Sequence, residues 1–305
     1  MSHRILTGTA SWTDPTLLAC GRFYPPDARD AASRLRFYAS RFRMVEADAG
    51  FYALPDPTLT HTWTQRTPPG FVFNIKAFRL FTGHATPVAA LPREMRRDLA
   101  LDDAPRDAVL YDNQIPDDWM RELWQRQLIA LEPLRQSGQF GALHLQFAPW
   151  VRRDARGRAR VQAAVRHASD VLTSVEFRHR SWFDGAAACR DTLAFERELG
   201  VVHTVVDAPQ GFDNTVPDIW EASHDALALV RLHGRNSAAW NNRAGASSSR
   251  FQYEYSPEEI ADLARRIAEL SRRTRQTHVV LNTNYQDQGM TNAANLNRAL
   301  ALQPV

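Results

Sequence analysis

The sequence has little cysteine, only two residues in 305, and no long apolar run. Cys20 and Cys189 stand far apart and form no Cys-x-x-Cys pair, so the sequence encodes neither a disulfide framework nor a thiolate zinc site. No apolar stretch approaches the roughly 20 residues that cross a bilayer, and the first residues are too polar for a signal peptide. We therefore expect a cytoplasmic protein with reduced thiols and no membrane partner.

Lysine is scarcer still, because Lys76 is the only one and arginine carries the remaining basic charge. The net charge of +3 includes 34 interspersed acidic residues, so the charge balance alone does not indicate a nucleic-acid partner. An ammonium group is compact and can lose its proton, whereas a guanidinium group cannot. Lys76 is therefore a candidate for specific chemistry, and its retention by chance is the alternative.

Eight β-branched runs alternate with stretches of helical periodicity. The predicted strands are residues 4–9, 44–48, 71–76, 142–147, 172–178, 201–207, 226–233 and 277–284. The predicted helices are residues 31–41, 57–66, 118–134, 159–168, 186–199, 257–272 and 292–300. Ser256, Pro257 and Glu259 predict a capping box at the start of the helix from residue 257.

This alternation predicts an α/β protein with a parallel sheet. Eight strands without linker-like composition favour a TIM-type (β/α)8 barrel, a single domain of residues 1–305 with long βα loops at 77–117 and 234–255 on its C-terminal face. A doubly wound open sheet is the alternative. Its dinucleotide-binding form needs a Gly-x-Gly-x-x-Gly turn, and residues 7–12 supply only one glycine.

Polar residues two apart mark the ends of most predicted strands. Residues at this spacing share one face of a strand, and the C-terminal strand ends of a parallel barrel surround the mouth where such enzymes bind ligands. Strands buried on both faces should otherwise read as apolar runs, although a structural ion-pair network is the alternative. The catalytic candidates are Glu46, Lys76, Glu176 and Asp207. The substrate-binding candidates are Asp48, Tyr52, Gln146, Arg178, Trp182, Arg231, His233, Asn282 and Asn284.

The charges of these candidates favour a small polar or anionic ligand. Arg178 and Arg231 are suited to a carboxylate or phosphate, and Lys76 is a point charge or a nucleophilic amine. The carboxylates are acid/base candidates, although Glu176 serves equally well to orient Arg178. We predict no metal and no cofactor, because neighbouring cations would repel an ion from the carboxylates.

The same segments resemble the family called domain of unknown function 72, the YecE-like proteins, over nearly the whole chain. The matching pieces are GTASW at 8–12, YPP at 24–26, VEADAGFY at 45–52, PPGFVFNIKA at 68–77, LQFAP at 145–149, VEFRHRSW at 175–182, Asp207, VRLHGR at 230–235 and YEYS at 253–256. The resemblance implies a TIM-barrel-like fold and brings no established reaction. The family usually has asparagine in place of Asp48, and its Thr-His after the third strand is matched loosely by Thr82 and His84, which makes His84 a weaker candidate than Lys76.

We therefore expect an enzyme acting on a small anionic metabolite, with the reaction class open. The alternative is a protein that binds nucleic acid or another phosphate backbone, with a metal-assisted phosphodiesterase as its catalytic form. That function would use the arginines after the fourth strand, which are Arg152, Arg153, Arg156, Arg158 and Arg160. Salt titration separates the two, since backbone binding weakens steeply with salt.

Protein purified without added metal is expected to fold without a stoichiometric ion. The cations that share the mouth disfavour a divalent ion there, and the chain has no cysteine ligand set. Elemental analysis beside a melting curve measures this, with chelator-treated protein as the control. An ion bound one to one through Glu46, Glu176, Asp207 or His233 would overturn the expectation.

Overall fold

The computed structural model describes residues 4–241 and 250–303. The strands in these residues are β1 (Arg4–Thr9), β2 (Met44–Ala47), β3 (Val72–Lys76), β4 (Thr86–Pro87), β5 (Val109–Leu110), β6 (Phe140–Gln146), β7 (Thr173–Glu176), β8 (Val202–Asp207), β9 (Leu227–Leu232) and β10 (Gln276–Leu281). The helices are α1 (Pro15–Cys20), α2 (Ala31–Arg41), α3 (Ala49–Tyr52), α4 (Pro57–Arg66), α5 (Arg93–Asp98), α6 (Asp117–Gln136), α7 (Ala155–His167), α8 (Gly185–Glu198), α9 (Pro257–Ser271) and α10 (Gln288–Ala301).

The longer strands form one eight-stranded sheet in the order β1-β10-β9-β8-β7-β6-β3-β2. All of its strand pairings are parallel. The two edge strands meet where Ala10 bridges Glu46 and the Ser11 amide donates to the Glu46 carbonyl at 2.9 Å. Eight parallel strands alternating with helices confirm the predicted (β/α)8 barrel.

The two predicted long loops differ in content. Residues 77–117 contain α5, the antiparallel pair β4 and β5, and short 3-10 turns. These pieces escaped prediction because elements of two to six residues are too short to show a period. Within the loop at 234–255, residues 242–249 lie outside the described residues.

Local capping explains why several predicted helix boundaries hold. Helices α2 and α4 occupy the predicted residues, and the side chains of Asp30 and Asp56 accept backbone N–H groups of their first turns. At α9 the Ser256 hydroxyl accepts from the Glu259 amide at 3.2 Å, and the Glu259 carboxylate accepts from the Ser256 amide at 2.9 Å. The predicted capping box is confirmed.

Two apolar layers surround the sheet. The larger layer packs helices against its outer face, while a smaller cluster fills the interior of the barrel. The interior cluster comprises Leu6, Ala10, Met44, Val72, Ala142, Val202, Leu227, Leu229 and Val280. A Cβ on Gly8 would lie 2.1 Å from the Met44 carbonyl oxygen, so glycine permits the close approach of β1 and β2. This apolar floor leaves the upper interior for polar side chains.

A buried ion pair lies outside the barrel, between β8 and α8. The His203 Nδ1 atom is 3.0 Å from a Glu196 carboxylate oxygen, and Nε2 is 3.1 Å from the Ile219 carbonyl oxygen. Both partners only accept hydrogen bonds, so both ring nitrogens must carry hydrogen. Burial opposes the charge, but the Glu196 carboxylate outweighs it and raises the pKa of His203.

The raised pKa predicts that His203 stabilises the fold at low pH and less so at high pH. Its contribution is complete below the unfolded value of about 6.5 and declines as pH rises through the folded pKa. Unfolding by urea over about pH 6 to 9 measures this, with His203→Gln as the comparison. The stability difference between the two proteins should shrink by about 1.4 kcal/mol for each unit of pKa shift. A difference independent of pH would contradict the assignment.

Candidate active site

Arg231 links three strands of the barrel through its interior. The side chain is 2% exposed, and its Nε and Nη2 atoms lie 3.1 Å and 2.6 Å from the two carboxylate oxygens of Glu46. Its Nη1 atom lies 2.5 Å from Oε2 of Glu176. Strand β9 is adjacent to neither β2 nor β7, so the guanidinium spans the interior above the apolar floor.

The Glu176 carboxylate is surrounded by donors. They are Arg231 Nη1 at 2.5 Å, Gln146 Nε2 at 2.7 Å, His233 Nε2 at 3.2 Å, His144 Nε2 at 3.3 Å and Arg178 Nη1 at 3.3 Å. Burial acts to raise the pKa of Glu176, but the charge of Arg231 outweighs it and holds the pKa well below its usual range. The charge of Arg231 likewise outweighs the effect of burial on Glu46 and lowers its pKa. Both carboxylates are therefore ionised, and their oxygens already accept hydrogen bonds from neighbouring side chains.

The two histidines in this network are neutral donors. Asn282 donates to His233 Nδ1 at 2.7 Å, and Ser174 donates to His144 Nδ1 at 2.9 Å, which leaves each Nε2–H for Glu176. Burial lowers the pKa of His233 to about 4 and also lowers that of His144. This hydrogen-bond pattern fixes both ring orientations.

Lys76 lies at the end of β3, half-buried at the mouth. Its Nζ atom is 4.0 Å from the centroid of the Phe51 ring, a cation–π contact. Within residues 4–241 and 250–303 no carboxylate pairs with Lys76. Burial and the neighbouring Arg231 lower the pKa of Lys76 to about 8. Its amine therefore loses its proton more readily than an ordinary lysine does.

Asp48 and His84 flank this amine. Glu46 is in register with Asn74, so Asp48 at the end of β2 stands beside Lys76, and burial raises its pKa. The His84 ring lies 5.0 Å from the Phe51 ring, and burial followed by the charge of Lys76 lowers its pKa to about 3. The loose Thr-His match was the only sequence signal for His84.

The rim of the mouth carries exposed aromatic side chains. Tyr52, a predicted substrate-binding residue, is 58% exposed, and Trp150 is 49% exposed. The Trp150 ring lies 5.8 Å from the His84 ring, so aromatic surface continues outward from Lys76. Asn284 is half-buried near the end of β10, and its Oδ1 atom has no hydrogen-bond partner among the described residues.

Asp207 does not join the other candidates. It is in register with Leu232, which lies between the inward Arg231 and His233, so its side chain points to the other face of the sheet. There the carboxylate accepts from Arg235 Nη2 at 2.7 Å and from the Tyr255 hydroxyl at 2.6 Å. Asp207 therefore holds together the two ends of the loop at 234–255, through Arg235 at one end and Tyr255 at the other.

Trp182 also lies away from the mouth, in contrast to the prediction. A 3-10 turn over Arg180–Trp182 folds its side chain into the outer core, where it is fully buried. The indole N–H donates to the Val151 carbonyl at 2.8 Å, and the ring stacks on Phe177 at 3.8 Å. A ligand at the mouth cannot reach it.

Residues 4–241 and 250–303 contain no cluster of three or more His, Cys, Asp or Glu side chains placed to hold a metal ion. No helix in this part of the chain has the length and apolar character needed to cross a membrane.

Comparison with known proteins adds the family context. The sequence profile described as "Protein of unknown function DUF72" matches residues 6–305. The UPF0759 protein YunF of Bacillus subtilis (strain 168) is 28% identical over 283 residues, covering 92% of this chain and 89% of the relative. A DUF72 family crystal structure from Enterococcus faecalis V583 superimposes with a TM-score of 0.78 at 24% identity, covering 99% of this chain and 97% of its own.

A second DUF72 family crystal structure, from Thermotoga maritima MSB8, gives a TM-score of 0.76 at 24% identity, covering 98% of this chain and all of its own. At this level of identity the two crystal structures establish a shared barrel fold and carry no information on a reaction.

Replacing Arg231 should destabilise the barrel strongly, because two buried carboxylates would lose their counter-charge. We expect Arg231→Gln to lower the free energy of unfolding by about 3–5 kcal/mol. The matched control is Arg121→Gln, which breaks the exposed pair with Asp118 and should cost less than about 1 kcal/mol. Urea unfolding measures both. Equal, small losses of unfolding free energy in the two variants would show that Arg231 does not stabilise the barrel through its buried carboxylate partners.

Proposed function

This chain belongs to the DUF72 family, and we propose that it is an enzyme that binds a small carboxylate or phosphate at its barrel mouth and uses the Lys76 amine in the reaction. The observation that carries the proposal is the position of that amine. It lies against Phe51, with no carboxylate partner among the described residues, beside acids that Arg231 already neutralises.

Charge at the mouth favours an anion. Lys76, Arg178 and Arg231 are cationic, and they exceed the ionised pair Glu46 and Glu176 by one charge. Asp48 stands beside Lys76, and burial raises its pKa, which disfavours its charged form. In a partly desolvated site such an excess attracts a negative ligand more strongly than it would in water.

Arg178 is the residue best placed to receive that anion. One of its nitrogens, Nη1, contacts Glu176 at 3.3 Å, and its guanidinium carbon lies 5.4 Å from the centroid of the Trp240 ring. No other acceptor engages its remaining N–H groups within the described parts of the chain. These groups are free to fork onto a carboxylate or phosphate.

We propose different roles for the predicted acids and bases. Lys76 is the nucleophile or base, and Asp48, with its raised pKa, is the acid that returns a proton. Glu46 and Glu176 hold Arg231, Arg178 and the histidines in place, because their oxygens are occupied.

Nucleic-acid binding receives less support from the arginine loop. Arg153 and Arg158 both contact Asp191, and Arg160 pairs with Asp112 through two hydrogen bonds. Much of the positive charge that this alternative requires is therefore neutralised within the protein.

Small anions at low salt should raise the melting temperature of the wild-type protein. A panel of inorganic phosphate, pyruvate, 2-oxoglutarate and lactate is the probe, and calorimetric titration gives the affinity of each anion that shifts melting. Arg178→Gln should weaken binding about tenfold, a loss of about 1.4 kcal/mol. Arg156→Gln, an exposed change on the same face, is the control and should bind as the wild type does.

Duplex DNA and single-stranded RNA form the comparison arm of this test. Absence of any anion response together with salt-sensitive nucleic-acid binding would overturn the proposal in favour of the alternative.

A further inference from the structure

Building on the proposed function, we propose that Lys76 forms a covalent iminium with the carbonyl carbon of a small 2-oxo carboxylate. The substrate class thus combines a carboxylate for Arg178 with an adjacent ketone or aldehyde for the amine. If the proposed function is wrong, no anion binds at the mouth. If only this inference is wrong, an anion binds there without forming a covalent bond.

The environment of the amine suits an iminium. Phe51 contacts Nζ through its ring face at 4.0 Å, and this contact favours any cation at that position. An iminium nitrogen carries the same positive charge as the ammonium that it replaces. The ring therefore remains in favourable contact after the covalent step, and burial together with the charge of Arg231 eases the proton release that precedes it.

The arrangement of the neighbouring cations suits the two functional groups of an oxo acid. Lys76 ends β3 and Arg178 follows β7, the two strands on either side of β6, and Arg178 reaches the inward Glu176 carboxylate from its own strand end. A 2-oxo carboxylate joins its carboxylate directly to its carbonyl. A short molecule of this kind can contact Arg178 and present its carbonyl carbon to Lys76.

The covalent step balances without an oxidant or reductant. The neutral Lys76 amine attacks the carbonyl carbon, the C=O π electrons move to oxygen, and one proton passes from nitrogen to that oxygen to give a carbinolamine. Asp48 then protonates the hydroxyl group, the C–O bond breaks, and water leaves. The nitrogen lone pair forms the C=N bond of the iminium.

His84 is oriented as a neutral hydrogen-bond acceptor. The Thr82 hydroxyl donates to the Arg79 carbonyl at 3.2 Å, so its oxygen accepts from His84 Nδ1–H at 3.0 Å. The Nε2 atom of His84 is left as an acceptor, and no described residue donates to it. Because burial lowers its pKa to about 3, His84 stays neutral, and we assign its Nε2 atom as a hydrogen-bond acceptor for the amine N–H.

Trapping by reduction tests the inference. The full-length protein is incubated with pyruvate or 2-oxoglutarate and sodium cyanoborohydride, and its intact mass is measured. An iminium reduced to a secondary amine adds the mass of the oxo acid less one oxygen atom. Peptide mapping separates Lys76 from the chain's α-amine, and no other lysine exists.

We expect the adduct on Lys76, dependent on both the oxo acid and the reductant. Lys76→Arg should lose it while retaining the wild-type circular dichroism spectrum and melting temperature. Asp48→Asn should slow its formation by about a hundredfold. Arg156→Gln should label at the wild-type rate, and lactate, which lacks the carbonyl, should give no adduct.

The melting experiment with lactate and inorganic phosphate distinguishes the two possible failures. Stabilisation by these anions without any Lys76 adduct from an oxo acid would overturn the iminium and leave the anion site in place. If the anions do not stabilise the protein and no adduct forms, both proposals are overturned. Labelling confined to the α-amine would also overturn the iminium.

Discussion

The barrel depends on the guanidinium of Arg231 held between the carboxylates of Glu46 and Glu176. Three buried charges in a barrel interior are costly unless each is paired and hydrogen-bonded, and here the distances of 2.5 Å to 3.1 Å satisfy all of them. The network joins β9 to strands on either side of the interior. The Glu46 backbone also accepts the amide of Ser11, so the same residue closes the sheet and anchors its polar interior.

The same interaction divides the polar groups of the mouth into two kinds. Glu176 receives hydrogen bonds from both neutral histidines and from Gln146, so its environment fixes side chains and leaves no lone pair for a substrate. Lys76 lies beyond that network and is held by an aromatic face. Structural positioning and the reactivity that we propose thereby fall to different residues of the mouth.

Much of this arrangement could be predicted from the sequence, because the C-terminal ends of all strands in a parallel barrel surround one mouth. Spacing along single strands predicted one inward face for Glu46, Lys76, Glu176 and Arg231, and the structure brings these side chains together. It could not place Asp207, since the face that a strand end presents depends on register with its neighbour, here Leu232. Trp182 was predicted to lie at the mouth, but a 3-10 turn after β7 carries its side chain into the outer core. Periodicity along the sequence carries no information on such turns.

Arg231 pairs with both buried carboxylates and leaves Lys76 as a readily deprotonated amine. Because Lys76 is the only lysine, protein labelled with ¹⁵N at the lysine side chain gives a single Nζ resonance, and its titration reports this group alone. The account predicts a midpoint at about pH 8. A midpoint near the ordinary value of about 10.4 would contradict it.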